Sequence, residues 1–182
     1  MTYHRTYQIG ALDRVAYQVL AVSYTGIYVD LPNVQRYIGQ PCVAVAYCQG
    51  TMYIAANNLW RSLGPGPWPH AEIGANVGNQ NVFALIVHEL RAEGVPSPIR
   101  LLQNPAGEND TAYHAELQLI DFVYDHLGGA FDGNLIGVSK PCCQTCANEL
   151  LDLGVGLTDF HALPSNAQRP GPGVLPVVAY AG

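Results

Sequence analysis

The sequence predicts an α/β fold, a three-layer α/β/α sandwich in which a mixed five-stranded sheet carries helices on both faces. Three observations point there. Runs of β-branched and small apolar residues alternate along the chain with stretches whose apolar residues recur at threes and fours. At 182 residues, with 49% hydrophobic and 12% charged residues, the chain suits one globular domain able to bury a substantial core. Two motifs rich in His, Glu and Cys open two helices that flank one strand, and a right-handed crossover brings such helix starts to one edge of a sheet. Residues 1–182 are read as one domain, with 1–40 an N-terminal extension and 41–182 the core.

Taken in order, the first clear element is the run Cys42 to Cys48, then Gln49-Gly50, then Thr51 to Ala56. Two apolar runs joined by a glycine-containing turn predict a β-hairpin, ending in the polar pair Asn57-Asn58. From Leu59 to about Asn81 the prolines and glycines of Gly64-Pro65-Gly66-Pro67-Trp68-Pro69 predict a loop. Val82 to Ala92 has helical spacing at Val82, Leu85, Ile86 and Leu90 and is closed by Gly94 and Pro96. A short strand follows at Ile99 to Leu102.

A second helix is predicted from Ala115 to Leu127, where Leu117, Ile120, Val123, Tyr124 and Leu127 share a face and Gly128-Gly129 stops it. Next come a short buried strand, Asn134 to Ser139, and a helix from Cys143 to Leu153 stopped by Gly154. Leu157 to Leu163 and Val174 to Tyr180 are read as two last strands with no helix between them.

Charge and cysteine usage narrow the function classes. Eight basic residues against fourteen acidic ones give a net charge of −6, and Lys140 is the sole lysine. Broad electrostatic adhesion to nucleic acid, which needs a basic face, is therefore not expected, whereas a short strand held by a few arginines and aromatics remains open. No apolar run has the length of a membrane span, and the first residues lack the apolar core of a secretory signal, so a soluble protein is expected with no membrane partner. Three of the five cysteines crowd into Cys142-Cys143-Gln144-Thr145-Cys146. That clustering reads as metal-binding thiols in a reducing compartment such as the cytoplasm rather than as a disulfide scaffold.

The chemistry sits in His114-Ala115-Glu116 and Cys143-Gln144-Thr145-Cys146. Zinc takes imidazole nitrogen and thiolate sulfur in a tetrahedron, and three protein ligands leave one corner for water, the pattern of a catalytic site. Cys143 and Cys146 would lie on one face of a helix's first turn, where the orphan amides favour thiolate. Zinc lowers the pKa of a water from about 15.7 toward about 7. Attack on an aromatic amidine carbon also needs protons delivered to the ring nitrogen and the departing amine, and Glu116, not required as a ligand, suits that work.

These residues resemble the cytidine deaminase superfamily of zinc-dependent nucleobase deaminases, with its His-x-Glu and Pro-Cys-x-x-Cys signature, at His114, Glu116, Cys143 and Cys146. The resemblance runs from about Cys42 to Tyr180. One departure is that Pro141 is followed by Cys142 before Cys143; such Ser139-Lys140-Pro141-Cys142-Cys143 forms are similar to branches that include bacterial toxin deaminases. The two strands at the end are similar to the division with a C-terminal β-hairpin. The resemblance implies a cytidine deaminase-like fold, a Zn2+ cofactor and hydrolytic conversion of cytosine to uracil. Single-stranded DNA is the substrate class favoured by the toxin-like motif and the long loop, with RNA or a free nucleoside or nucleotide as alternatives. It also implies delivery within a secreted bacterial toxin and an immunity protein as partner. A zinc-containing binding module without activity is the alternative of another class, and an intact Glu116 argues against it.

Other residues carry two readings each. Asn57 or Asn58 either contacts a sugar hydroxyl, as the resemblance implies, or merely ends a strand. Tyr113, Trp60 and Trp68 either stack on an extruded base or cover the core. Lys140 either meets a phosphate or caps a strand end, and Ala115, Ser139 and Pro141 complete the expected substrate-facing set. Cys42 and Cys48 read as core residues, and Cys142 as buried packing or a spare ligand. His70-Ala71-Glu72, in the loop, is read as a coincidence, and Val87-His88-Glu89-Leu90 lacks the second histidine of a zinc-protease helix.

Overall fold

The computed structural model describes residues 11–25, 42–57, 83–103, 112–157, 167–170 and 175–182. They form an α/β fold around a mixed five-stranded open sheet. Strand β1 (Cys42–Cys48) and strand β2 (Thr51–Asn57) make the expected antiparallel hairpin, in register from Cys42 opposite Asn57 to Cys48 opposite Thr51. The two residues between them, Gln49 and Gly50, both have positive φ, 52° and 77°. That is the backbone of a tight hairpin turn whose twist matches the strands. Asp132 holds it, accepting from the Gln49 and Gly50 N–H groups at 2.8 Å each.

Strand β3 (Ile99–Gln103) runs parallel to β2, β4 (Gly137–Val138) antiparallel to β1, and β5 (Val177–Ala181) antiparallel to β3. The strand order is therefore β4-β1-β2-β3-β5. Period-two alternation divides the core in two, because successive strand residues face opposite ways. Val43 and Val45 of β1, Met52 and Ile54 of β2, and Ile99 and Leu101 of β3 share one cluster with α1 (Ala11–Thr25) and α2 (residues 83–92). Ala44, Ala46, Ala55 and Leu102 share the other with α3 (Ala115–Ile120), which continues as a wider π-helical turn over Asp121–His126, and with α4 (Gln144–Asp152). Helices thus cover both faces, and the two helices bearing the His and Cys motifs lie on the same one.

Helix α1, within the N-terminal extension of residues 1–40, packs into the core, which the sequence alone does not decide. Ala16, Val19, Leu20, Ala21 and Val22 are fully buried in the first cluster. Each large apolar side chain so buried contributes about 1.5–3 kcal/mol, a sizeable share of a net stability of about 5–15 kcal/mol. Leu12, Val15, Ala16, Val19 and Leu20 have the helical spacing that would have announced this element. The helix also closes the β4 edge: Asp13 accepts from the Val138 N–H at 2.9 Å, and a Cβ on Gly137 would overlap the Leu12 backbone.

One further expectation changes. The strand expected over Asn134 to Ser139 shrinks to Gly137–Val138, because Asp132–Asn134 forms a 3-10 turn that needs positive φ at Gly133 and Asn134. Most of the first run of the expected C-terminal hairpin, residues 158–163, lies outside the described residues. Gly156 bridges in parallel to Leu135, just before β4, whereas β5 pairs with β3 at the opposite edge. Residues 158–163 of the first run, and the loop from Asn58 to Asn81 with Trp60, Trp68 and His70-Ala71-Glu72, lie outside the described residues, as does His161.

Candidate metal centre

The site assembles at the N-terminal ends of α3 and α4. His114 is the residue before α3, extended at φ −61° and ψ 151°, and Cys143 is the residue before α4, extended at φ −71° and ψ 163°. The Cys143 sulfur accepts from the Cys146 N–H at 3.4 Å, so an orphan amide of the first turn meets a sulfur, as a helix start favours. Cys146, one turn on, faces the same way. His114 Nδ1 then lies 3.5 Å from the Cys143 sulfur and 3.6 Å from the Cys146 sulfur.

Those spacings fit a metal. In a tetrahedral site with Zn–S of about 2.3 Å and Zn–N of about 2.0–2.1 Å, a nitrogen and a sulfur ligand stand about 3.6 Å apart. Among the described residues these three form the group whose donor atoms all lie within 4.8 Å of one another, with both cysteines buried and His114 half-buried. Two sulfurs and one imidazole suit a borderline-soft ion such as zinc. Burial and the hydrogen bond to the Cys143 sulfur push the Cys146 thiol far up, the hydrogen bond more, so metal uptake must expel protons.

Glu116 is 3% exposed, and its Oε2 has no hydrogen-bond partner among the described residues. Burial raises its carboxyl above the usual range, opposed in part by its own backbone N–H and by His114. A buried acceptor left open is costly unless something fills it; Gln118 Oε1 shares that condition, and what sets Glu116 apart is that it stands two residues from His114. The Cys142 thiol donates to the Glu116 carboxyl, and burial together with that carboxylate pushes Cys142 well up. Cys142 therefore stands behind Glu116, outside the three-ligand group.

The residues expected to face substrate divide sharply. Ala115 is fully buried in the second core cluster. Tyr113 is fully buried as well, its hydroxyl donating to Asp121 at 2.6 Å, so it supports the site from within and does not stack on a base. Ser139 is buried and its hydroxyl accepts from the Val43 N–H at 2.9 Å, which ties the start of the cysteine loop to β1. Pro141 is buried and Lys140 half-buried. Asn57 ends β2, and Asn58 lies outside the described residues. Cys42 and Cys48 are buried core, and His126 is exposed and stacked on Phe122. His88 is exposed on α2, across the sheet from the metal centre.

Two contributors escaped the sequence reading. Gln118, 1% exposed, donates to the Ala56 carbonyl at 3.3 Å and to the Tyr113 carbonyl at 2.8 Å, fixing the end of β2 against the turn before α3. Its position four residues after His114, on the same helix face, was the available signal. The other is Arg169, for which local pattern offered none. Comparisons with protein-family models, with curated proteins and with solved structures found no match.

Proposed function

We propose that this protein is a zinc-dependent hydrolytic deaminase that converts cytosine to uracil, with His114, Cys143 and Cys146 holding the metal. The observation that carries the reading is the combination of three soft donors at tetrahedral spacing with a buried carboxyl, Glu116, whose Oε2 is left without a partner. A structural zinc site takes four protein ligands, and here the described residues supply three. Bound there, zinc supplies Lewis acidity that brings a water molecule's pKa toward neutrality. Glu116 takes the proton from the attacking water, passes one to the ring nitrogen and delivers another to the departing amine, so cytosine and water become uracil and ammonia. Its burial suits the task, because burial raises the carboxyl's pKa and so favours the proton-carrying form that an acid–base group must also take.

For substrate we favour cytosine in single-stranded DNA, as the Ser139-Lys140-Pro141-Cys142-Cys143 form suggests by its likeness to bacterial toxin deaminases. The net charge of −6 favours a second reading, a free nucleoside or nucleotide. The test is incubation of purified protein with cytidine, single-stranded DNA, duplex DNA and RNA, read by mass spectrometry for replacement of an amine by a hydroxyl. Uracil in the DNA strand but not from cytidine supports the first reading, and the reverse supports the second. No product in any arm defeats the deaminase.

A further inference from the structure

The two metal-bearing helices are joined on their outer side by one guanidinium. Arg169 Nε donates to Asp121 at 2.8 and 3.0 Å, where α3 widens into its π turn, and its Nη1 and Nη2 donate to the two oxygens of Glu149 on α4 at 3.1 and 3.2 Å. Asp121 accepts the Tyr113 hydroxyl as well, and Tyr113 adjoins His114, while Glu149 stands one turn beyond Cys146. Beside it, the Gln168 N–H donates to the Ala112 carbonyl at 2.8 Å. The short segment 167–170 therefore crosses from the turn before His114 to the helix that carries Cys146.

We propose that Arg169 is a positioning residue for the metal centre, setting the separation of the His114 and Cys146 helices so that three donors meet one ion; the inference rests on the metal-site reading above. Its planar fork suits the task, since one face of the guanidinium takes Asp121 and the other grips Glu149 in a bidentate pair, which a lysine cannot do. Asp121 is nearly buried, with its side chain 4% exposed, and a buried carboxylate deprived of its counter-ion pulls toward solvent. Such a movement would shift α3, and with it His114, relative to α4. Partners one step removed from metal ligands characteristically alter metal affinity by about 10- to 100-fold.

The test loads wild type, Arg169→Gln, Arg169→Lys and Glu149→Gln with zinc, and follows release to a chromogenic chelator at a temperature where the metal-free forms remain folded by circular dichroism. Co2+-loaded samples report ligand geometry through their thiolate charge-transfer and d–d bands. The expected result is release about 10-fold or more faster in Arg169→Gln, little rescue by Arg169→Lys, a smaller effect in Glu149→Gln, and altered Co2+ bands. Glu149 is a surface residue with its side chain 40% exposed, so that variant keeps the test open if Arg169→Gln does not fold. Release rates and bands like wild type, with only thermal stability lowered, would overturn the positioning role and leave the metal site standing. Wild type that takes up no metal would overturn both.

Discussion

The hydroxyl of Tyr113 donates to Asp121 at 2.6 Å from a site fully closed to solvent, so the residue next to His114 is anchored on the carboxylate that opens the helix's wider segment. Tyr113→Phe keeps the ring and removes that donor. A hydrogen bond to a charged group contributes about 1.5–3 kcal/mol, and the variant should lose about that much stability in urea unfolding. Unchanged stability with an altered KM would instead return the hydroxyl to the substrate side.

Glu116→Gln replaces the carboxyl that the proposed reaction uses as its acid–base group by an amide of the same shape. The variant should bind zinc as wild type does and lose deamination by about 100- to 10,000-fold. Metal content by atomic spectroscopy and uracil by mass spectrometry separate the two effects. A variant that still turns over at the wild-type rate removes Glu116 from the chemistry.

The His114, Cys143 and Cys146 cluster was legible in the sequence because soft donors at that spacing are residue types that few other roles demand. His114, Glu116, Cys143 and Cys146 announce themselves by spacing, and local helix and strand periods place them at helix starts. Tyr113 stays between two readings in the sequence because an aromatic beside a motif looks alike whether it faces solvent or core; its partner Asp121 is what decides, and that pairing is tertiary. Arg169 was invisible for the same reason. The mixed sheet and the β1–β2 hairpin followed from alternation and a glycine turn, whereas the strand order β4-β1-β2-β3-β5 follows from long-range pairing that periodicity does not encode.

Zinc binding and folding should be coupled. A ligand that binds the folded form stabilises it by about 2.7 kcal/mol at 100 times its Kd, so zinc should raise Tm and a chelator should lower it. Cys146→Ser should abolish the zinc-dependent part of the shift. A shift that persists in that variant would move the metal elsewhere.

Alkali should destabilise the protein through Cys42. Burial pushes this thiol up from 9.0 to about 12, so between those values the folded state holds a proton that the unfolded chain has lost. The stabilising contribution is complete below pH 9 and disappears as pH rises through about 12, at about 1.4 kcal/mol per pH unit. Urea midpoints of wild type and Cys42→Ala should therefore converge as pH climbs over that window, and parallel profiles would contradict the assignment.

Gly137→Ala should cost about 1–3 kcal/mol by overpacking, because the added methyl would meet the Leu12 backbone. Differential scanning calorimetry reads the loss, and an unchanged Tm would show that α1 yields easily.

That tight seat has a practical consequence for anyone who handles the protein. The strand under α1 runs straight on through Ser139, stitched to Val43 at 2.9 and 2.8 Å, into the cysteine loop. Strain on α1, such as a rigid fusion would bring, should therefore reach Cys143, six residues past Gly137 and about 20 Å of extended chain away at roughly 3.3 Å per residue. A slack spacer ahead of the chain should preserve the spacing of His114, Cys143 and Cys146.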